Sequence, residues 1–172
     1  MGGNCKITKD PSTQELLLRT VDATPNAASL IEGHRDFGYN LETALADIID
    51  NAITAGARNL ALMANTVTQN PWIALSDDGS GMFENELIEA MRLGSKNPTE
   101  KRSKKDLGRF GLGLKSASFS QCRSLTVLTR KDSITSCARW NLDRVVKRND
   151  WNLELIDNPD IIIGNELLKE RG

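Results

Sequence analysis

The chain of 172 residues carries 22 Lys and Arg against 23 Asp and Glu, a formal charge of −1. That is the size of one ordinary domain with a core of its own, and the near-neutral balance gives no global attraction to nucleic acid or a membrane surface. Cys5, Cys122 and Cys137 are an odd number at unrelated spacings with no C-x-x-C, which argues against a disulfide framework or a zinc site and for a reducing cytoplasm. The N-terminus lacks the layout of a signal peptide, and no apolar run is long enough to span a bilayer.

In chain order, residues 11–22 and 26–37 read as two helices separated by Pro25, with Ser12 and Asn26 as caps. A third helix, "LETALADIIDNAITAGA", is expected from Leu41 to near Gly56, apolar enough to be buried on most sides, yet it carries Asp47, Asp50 and Asn51. "RNLALMANTV" and "WIALSD" follow as strands joined by "TQNP". "DDGSG" breaks the chain before the helical "MFENELIEAMRLG". Residues 94–109, almost without apolar side chains and rich in lysine, read as a mobile loop of a length that is usually functional. "FGLGLKSASFSQ" is a glycine-rich turn opening a helix, "RSLTVLTR" and "ITSCARWNL" a hairpin around "KDS", and "WNLELID" a further strand. This order suggests a single α/β domain, its sheet covered mainly on one face.

Polar clusters interrupt the pattern at three places. Asp47 and Asn51 stand one helical turn apart on the same face, which fits an internal pair or an oxygen-ligand site for Mg²⁺, whose remaining ligands come from water and phosphate. The Asp77 to Gly81 turn can be a plain turn; it also ends an apolar strand with a carboxylate able to accept from an exocyclic amine, beside Gly79 and Gly81, which let a flat ligand approach the backbone. "GRFGLGLKS" is neither a Walker A loop, since Leu114 separates Gly113 from Lys115, nor a dinucleotide fingerprint, whose third glycine is missing. Its glycines expose N–H groups just before a helix N-terminus, where phosphate is attracted, although a tight loop to a packed helix would look the same.

Taken in order, "ALADIIDNAITAGA", "ALSDDGSGM" and "GRFGLGLKSAS" resemble the nucleotide-binding boxes of the GHKL ATPase superfamily, which includes DNA gyrase B, the ninety-kilodalton heat-shock chaperones, MutL and sensor histidine kinases. Within it the wording is most similar to MORC-type ATPases and their prokaryotic relatives, over roughly residues 30–145. The resemblance implies a Bergerat fold, a two-layer α/β (α+β) sandwich with a mixed, mainly antiparallel sheet covered by helices on one face, holding ATP and Mg²⁺.

By position in the boxes, Asp47 matches the catalytic carboxylate and Asn51 the magnesium-binding asparagine. Asp77 matches the aspartate that recognises adenine, with Gly79, Gly81 and Met82 at the base. Gly111, Leu112, Gly113, Leu114 and Lys115 match the segment under the phosphates. Residues 94–110 would be the ATP lid and residues 1–25 an N-terminal extension of a single domain over 1–172. A later Gly-Thr strand and a transducer domain normally follow in such proteins, so the chain is expected to be the N-terminal part of a longer one, with Gly172 at the place of the first half of that pair.

Relatives usually carry glutamate where this chain has Asp47. One methylene less shortens the reach to an attacking water by more than about 1 Å against a working window of about 2.6–3.2 Å. The expected function is therefore Mg-dependent ATP binding with slow γ-phosphate hydrolysis, coupled to lid closure and nucleotide-dependent homodimerisation. The alternative is an ATP-gated interaction module that binds ATP without turning it over. The histidine-kinase branch fits less well, since His34 lacks a phosphoacceptor context. With basic residues concentrated only in the lid and few aromatics, no nucleic-acid contact is indicated within the chain.

Overall fold

The computed structural model describes residues 21–36, 38–94 and 113–159. Most of the helix expected over 11–22 lies outside them, as do Gly111, Leu112, the expected lid beyond Gly94 and the chain after residue 159; Val21 and Asp22 themselves are not helical.

Helix α1 (Ala27–Arg35) starts where Asn26 stops being extended: its side chain accepts from the Ser29 N–H at 3.0 Å, supplying one of the orphan donors of a helix start. Asn40 does the same for α2 (Leu41–Thr54), accepting from Thr43 at 2.8 Å. β1 (Leu60–Asn65) and β2 (Trp72–Asp77) form an antiparallel hairpin in which Leu62 faces Leu75 and Leu60 faces Asp77. Short α3 (Glu84–Met91) begins with the Glu86 carboxylate accepting from the Phe83 N–H at 2.8 Å; Lys131 bridges to Glu86 at 2.9 Å and lies over the Phe83 ring.

Helix α4 (Gly113–Gln121) leads into β3 (Ser124–Lys131) and β4 (Ile134–Asn141), whose hairpin turns at Asp132 and Ser133, both at positive φ as a two-residue primed turn requires. α5 (Leu142–Arg148) follows directly and was not expected from the sequence. Asn141 caps its start, Asp143 and the Lys147–Arg148 pair sit at the dipole ends they suit, and Asn149 closes it in the left-handed region. The strand expected in "WNLELID" is a two-residue β5 (Glu154–Leu155) paired with β4.

Among the described residues all strand pairing is antiparallel, in a two-stranded sheet β1–β2 and a three-stranded sheet β3–β4–β5. Leu125, Val127, Ala138 and Trp140 share one face of the larger sheet, paired as Leu125 with Trp140 and Val127 with Ala138. Against that sheet pack α3 and α4, with α1 lying on α4 and α5. The buried cluster joins Ala27 and Ile31 of α1, Leu87 and Met91 of α3, Phe119 of α4, and Leu142 and Val145 of α5 to Ala138 and Trp140. This is the layered α/β arrangement anticipated from the order of elements.

Two features depart from expectation. Helix α2 is not buried on most sides: only Ala44 and Ala52 are buried, while Leu41 and Ile53 are exposed. The outer side of the β1–β2 hairpin likewise leaves Leu60, Leu62 and Ile73 open to solvent.

Candidate nucleotide site

The turn after β2 is locked to the end of α2 by main-chain and carboxylate bonds. Ser80 donates its N–H to the Ala55 carbonyl at 3.0 Å, and the Asp77 Oδ1 accepts from the Gly79 N–H at 2.9 Å. Asp78 turns the other way: Oδ1 accepts from the backbone N–H of Arg58 at 2.7 Å and of Asn59 at 2.8 Å, and Oδ2 from the Asn59 side-chain amide at 2.7 Å. Those bonds, led by the Asn59 backbone and side chain, hold the Asp78 carboxyl down at about 2. The adjacent carboxylates of "DD" thus divide their work. Asp78 fastens the α2–β1 connection, while Asp77, half-buried, has no bond to Oδ2 among the described residues.

The glycines of this turn are set by close approach. A Cβ on Gly79 would stand 2.8 Å from Asp77 Oδ1 and 2.9 Å from the Ala55 Cβ. Gly81 is at φ +64°, and a Cβ there would overlap the Arg130 carbonyl oxygen of β3. One residue on, the Met82 N–H donates to the buried Thr129 hydroxyl at 2.9 Å, while the Met82 side chain packs on the core cluster. The turn therefore rests on α2 at one end and on β3 at the other.

On α2, one turn back from Ala55, Asn51 is exposed, and among the described residues its side chain has no hydrogen-bond partner. Asp47, a further turn back, is half-buried, so the pair does not face the interior as its apolar neighbours suggested. The Tyr39 phenol lies beside Asp47; burial first, then the Asp47 charge and a hydrogen bond to it, raise the Tyr39 pKa. The backbone of Tyr39 is held too, its carbonyl accepting from the Gln121 side chain at 2.7 Å.

Helix α2 packs against α4. Of the glycine turn before α4, Gly111 and Leu112 lie outside the described residues, and α4 starts at Gly113. Leu114 is half-buried against the core. Lys115 is 2% exposed, and its ammonium donates to the carbonyls of Ala90 at 2.8 Å and Arg92 at 2.9 Å, at the far end of α3. At the other end of α4, Arg35 donates to the Phe119 and Cys122 carbonyls at 2.7 and 2.9 Å.

Sequence reasoning missed Asp78 as a fastener, Thr129 as the seat of Met82, and Tyr39 beside Asp47. For Asp78 the "D-D" doubling was the available signal; Thr129, 47 residues from Met82, left none. No cluster of three or more His, Cys, Asp or Glu among the described residues would hold a metal by itself. A lone amide oxygen such as that of Asn51 is a donor type that a hard cation accepts when phosphate and water complete its shell.

A strand-end carboxylate, a glycine turn seated on main chain, a polar helix face and a glycine-led helix are thus carried by one α/β domain. Residues 39–171 match the family model described as histidine kinase-, DNA gyrase B- and HSP90-like ATPase, and the chain belongs to that family.

Curated relatives lie in the MORC group. The chain is 38% identical over 92 residues to the ATPase morc-1 of Caenorhabditis elegans, covering 54% of this chain and 10% of that protein. It is 31% identical over 97 residues to ATPase MORC2B of Mus musculus, covering 55% and 9%, and 31% identical over 99 residues to the mouse MORC family CW-type zinc finger protein 1, covering 55% and 10%. The matches thus span about a tenth of each relative's length. Among the described residues no helix is long and apolar enough to cross a membrane.

Proposed function

We propose that this domain binds ATP with Mg²⁺ and hydrolyses the γ-phosphate slowly. The observation that carries the reading is the Asp77 carboxylate, at the end of β2 in a chain of this ATPase family. One of its oxygens is oriented by the Gly79 N–H, and the other has no partner among the described residues. Asp77 accepts from the exocyclic amine of adenine, and the Gly79–Gly81 main chain lies against the ring. The backbone N–H groups at the start of α4, from Gly113 to Lys115, meet phosphate oxygens, since a helix start leaves them unpartnered. Asn51 offers its amide oxygen to Mg²⁺, which when bound offsets phosphate charge. Asp47 orients and deprotonates the attacking water, its short side chain limiting the rate. Family membership supports closure of the 94–110 segment over the nucleotide and ATP-dependent homodimerisation. The cysteine usage supports a cytoplasmic setting.

Calorimetric titration of a non-hydrolysable ATP analogue, with and without Mg²⁺, tests the site. Wild type binds, Mg²⁺ strengthens binding, and both Asp77→Asn and Asn51→Ala weaken it by about tenfold or more, the loss of one charge-assisted or metal contact. Absence of binding by folded wild type overturns the reading. Asp47→Ala then abolishes turnover while leaving affinity nearly intact; wild type that binds but never turns over would instead make the domain an ATP-gated interaction module.

A further inference from the structure

The last turn of a helix leaves carbonyls without partners, and at α3 side chains from two other elements supply them. Lys115 of α4 donates to the carbonyls of Ala90 and Arg92, and the Trp140 indole N–H of β4 donates to the carbonyl between them, that of Met91, at 2.9 Å. The ammonium meets the negative end of the α3 dipole, a favourable place for a cation. The links close on themselves. Phe119, one turn after Lys115 on the same face of α4, sets its ring edge-on to Trp140, with centroids 6.4 Å apart at 85°. Lys115, Phe119 and Trp140 are all at least 96% buried, so this is a desolvated joint.

A buried ammonium is costly to place and costly to leave unpaired. Its direction matters as much as its burial: Lys115 belongs to the first turn of α4, yet its ammonium reaches the carbonyls at the end of α3. We propose that Lys115 and Trp140 are positioning residues that bolt the first turn of α4 to the end of α3. They fix where the Gly113 and Leu114 N–H groups point, and the Lys115 ammonium is not itself a phosphate ligand. This rests on the nucleotide reading above. Loosening either side of the joint frees the helix start to tilt, and aimed donors lose their phosphate without any direct contact having been removed.

The test is a double-mutant cycle on the full chain, with Lys115→Met, Trp140→Phe and the double variant, titrated with a non-hydrolysable ATP analogue plus Mg²⁺ and, separately, with adenosine. Phenylalanine removes the indole N–H while keeping a ring against Phe119. Each single substitution is expected to weaken the analogue on the order of threefold to thirtyfold. Adenosine binding stays within about twofold of wild type, and the double variant is no worse than the more damaging single, because both side chains hold the same end of α3 through neighbouring carbonyls. Thermal unfolding of the same four proteins without nucleotide shows the same non-additivity.

Loss of analogue binding in Lys115→Met alone, with Trp140→Phe binding as wild type, overturns the proposal and makes Lys115 a direct ligand; so do additive effects. Should Lys115→Met not fold, Lys115→Arg replaces it: retained affinity there with weakened binding in Trp140→Phe supports the joint, and undiminished binding in Trp140→Phe overturns it. Wild type that binds neither ligand overturns the nucleotide reading itself and this proposal with it, a result distinct from any contrast between variants.

Discussion

Asp78 and Asn59 are joined twice, the Asn59 backbone N–H reaching Oδ1 at 2.8 Å and its side-chain amide reaching Oδ2 at 2.7 Å. With Arg58 adding a third bond, the carboxyl is held at about 2 instead of 3.8, which makes this fastener pH-dependent. A depressed carboxyl pKa stabilises the fold above the unfolded value, and that contribution is lost as pH falls through the folded one. Asp78→Ala therefore lowers the thermal midpoint at pH 7, and the gap to wild type narrows as pH is taken from 4 towards 2. Differential scanning fluorimetry across that range checks it. A gap that stays constant with pH would remove the charge from the explanation.

Gly81→Ala and Gly56→Ala separate strain from collision. Both glycines are at positive φ, but a Cβ at Gly56 meets nothing within 4 Å, whereas at Gly81 it runs into the Arg130 carbonyl. Gly56→Ala should cost about 1 kcal/mol of conformational strain, and Gly81→Ala about 2–3 kcal/mol or more, with loss of the seating of the Asp77–Gly81 turn on β3. Urea denaturation of the two variants gives the comparison directly.

Ser118 carries a buried hydroxyl with no partner among the described residues, in the middle of α4. Alanine removes an unsatisfied group and favours helix, so Ser118→Ala should stabilise by about 1 kcal/mol. A lower denaturation midpoint for this variant would mean that the hydroxyl is satisfied in solution.

Under the proposed role of Asp47 as the base, Asp47→Glu restores the methylene that its carboxylate lacks. Turnover measured by phosphate release should rise about tenfold or more, equivalent to at least about 1.4 kcal/mol of transition-state stabilisation, with analogue affinity little changed. Unchanged turnover would argue that reach does not limit the rate.

What the sequence makes legible is local. β2 falls at Trp72–Asp77 because a strand pattern ends in unmistakable turn residues, and the β3–β4 hairpin folds about Asp132–Ser133 because a short polar turn separates two β-branched runs. α5 was overlooked although Asn141, Asp143 and Asn149 spell its caps, since a seven-residue helix contiguous with a strand offers too little periodicity to separate the two. The burial of α2 was overread because apolar composition does not say whether neighbours cover every side, and Ile53 is open. Box order singles out Asp47, Asn51, Asp77 and the glycines by position alone, and the direction of a flexible side chain such as Lys115 depends on α3, which lies more than 20 residues away in sequence.

The seat of the Asp77–Gly81 turn on β3 is made almost wholly of backbone: the Gly81 main chain against the Arg130 carbonyl, the Met82 amide on one hydroxyl. Its shape is therefore indifferent to most of the side chains around it. Arg130 enters this seat through its carbonyl and not its side chain, while at Met82 proline would delete the donor and a polar residue would disturb the packing of its side chain on the core. A contour written in main chain depends on few side chains: here two glycines free of a Cβ and one threonine hydroxyl hold it.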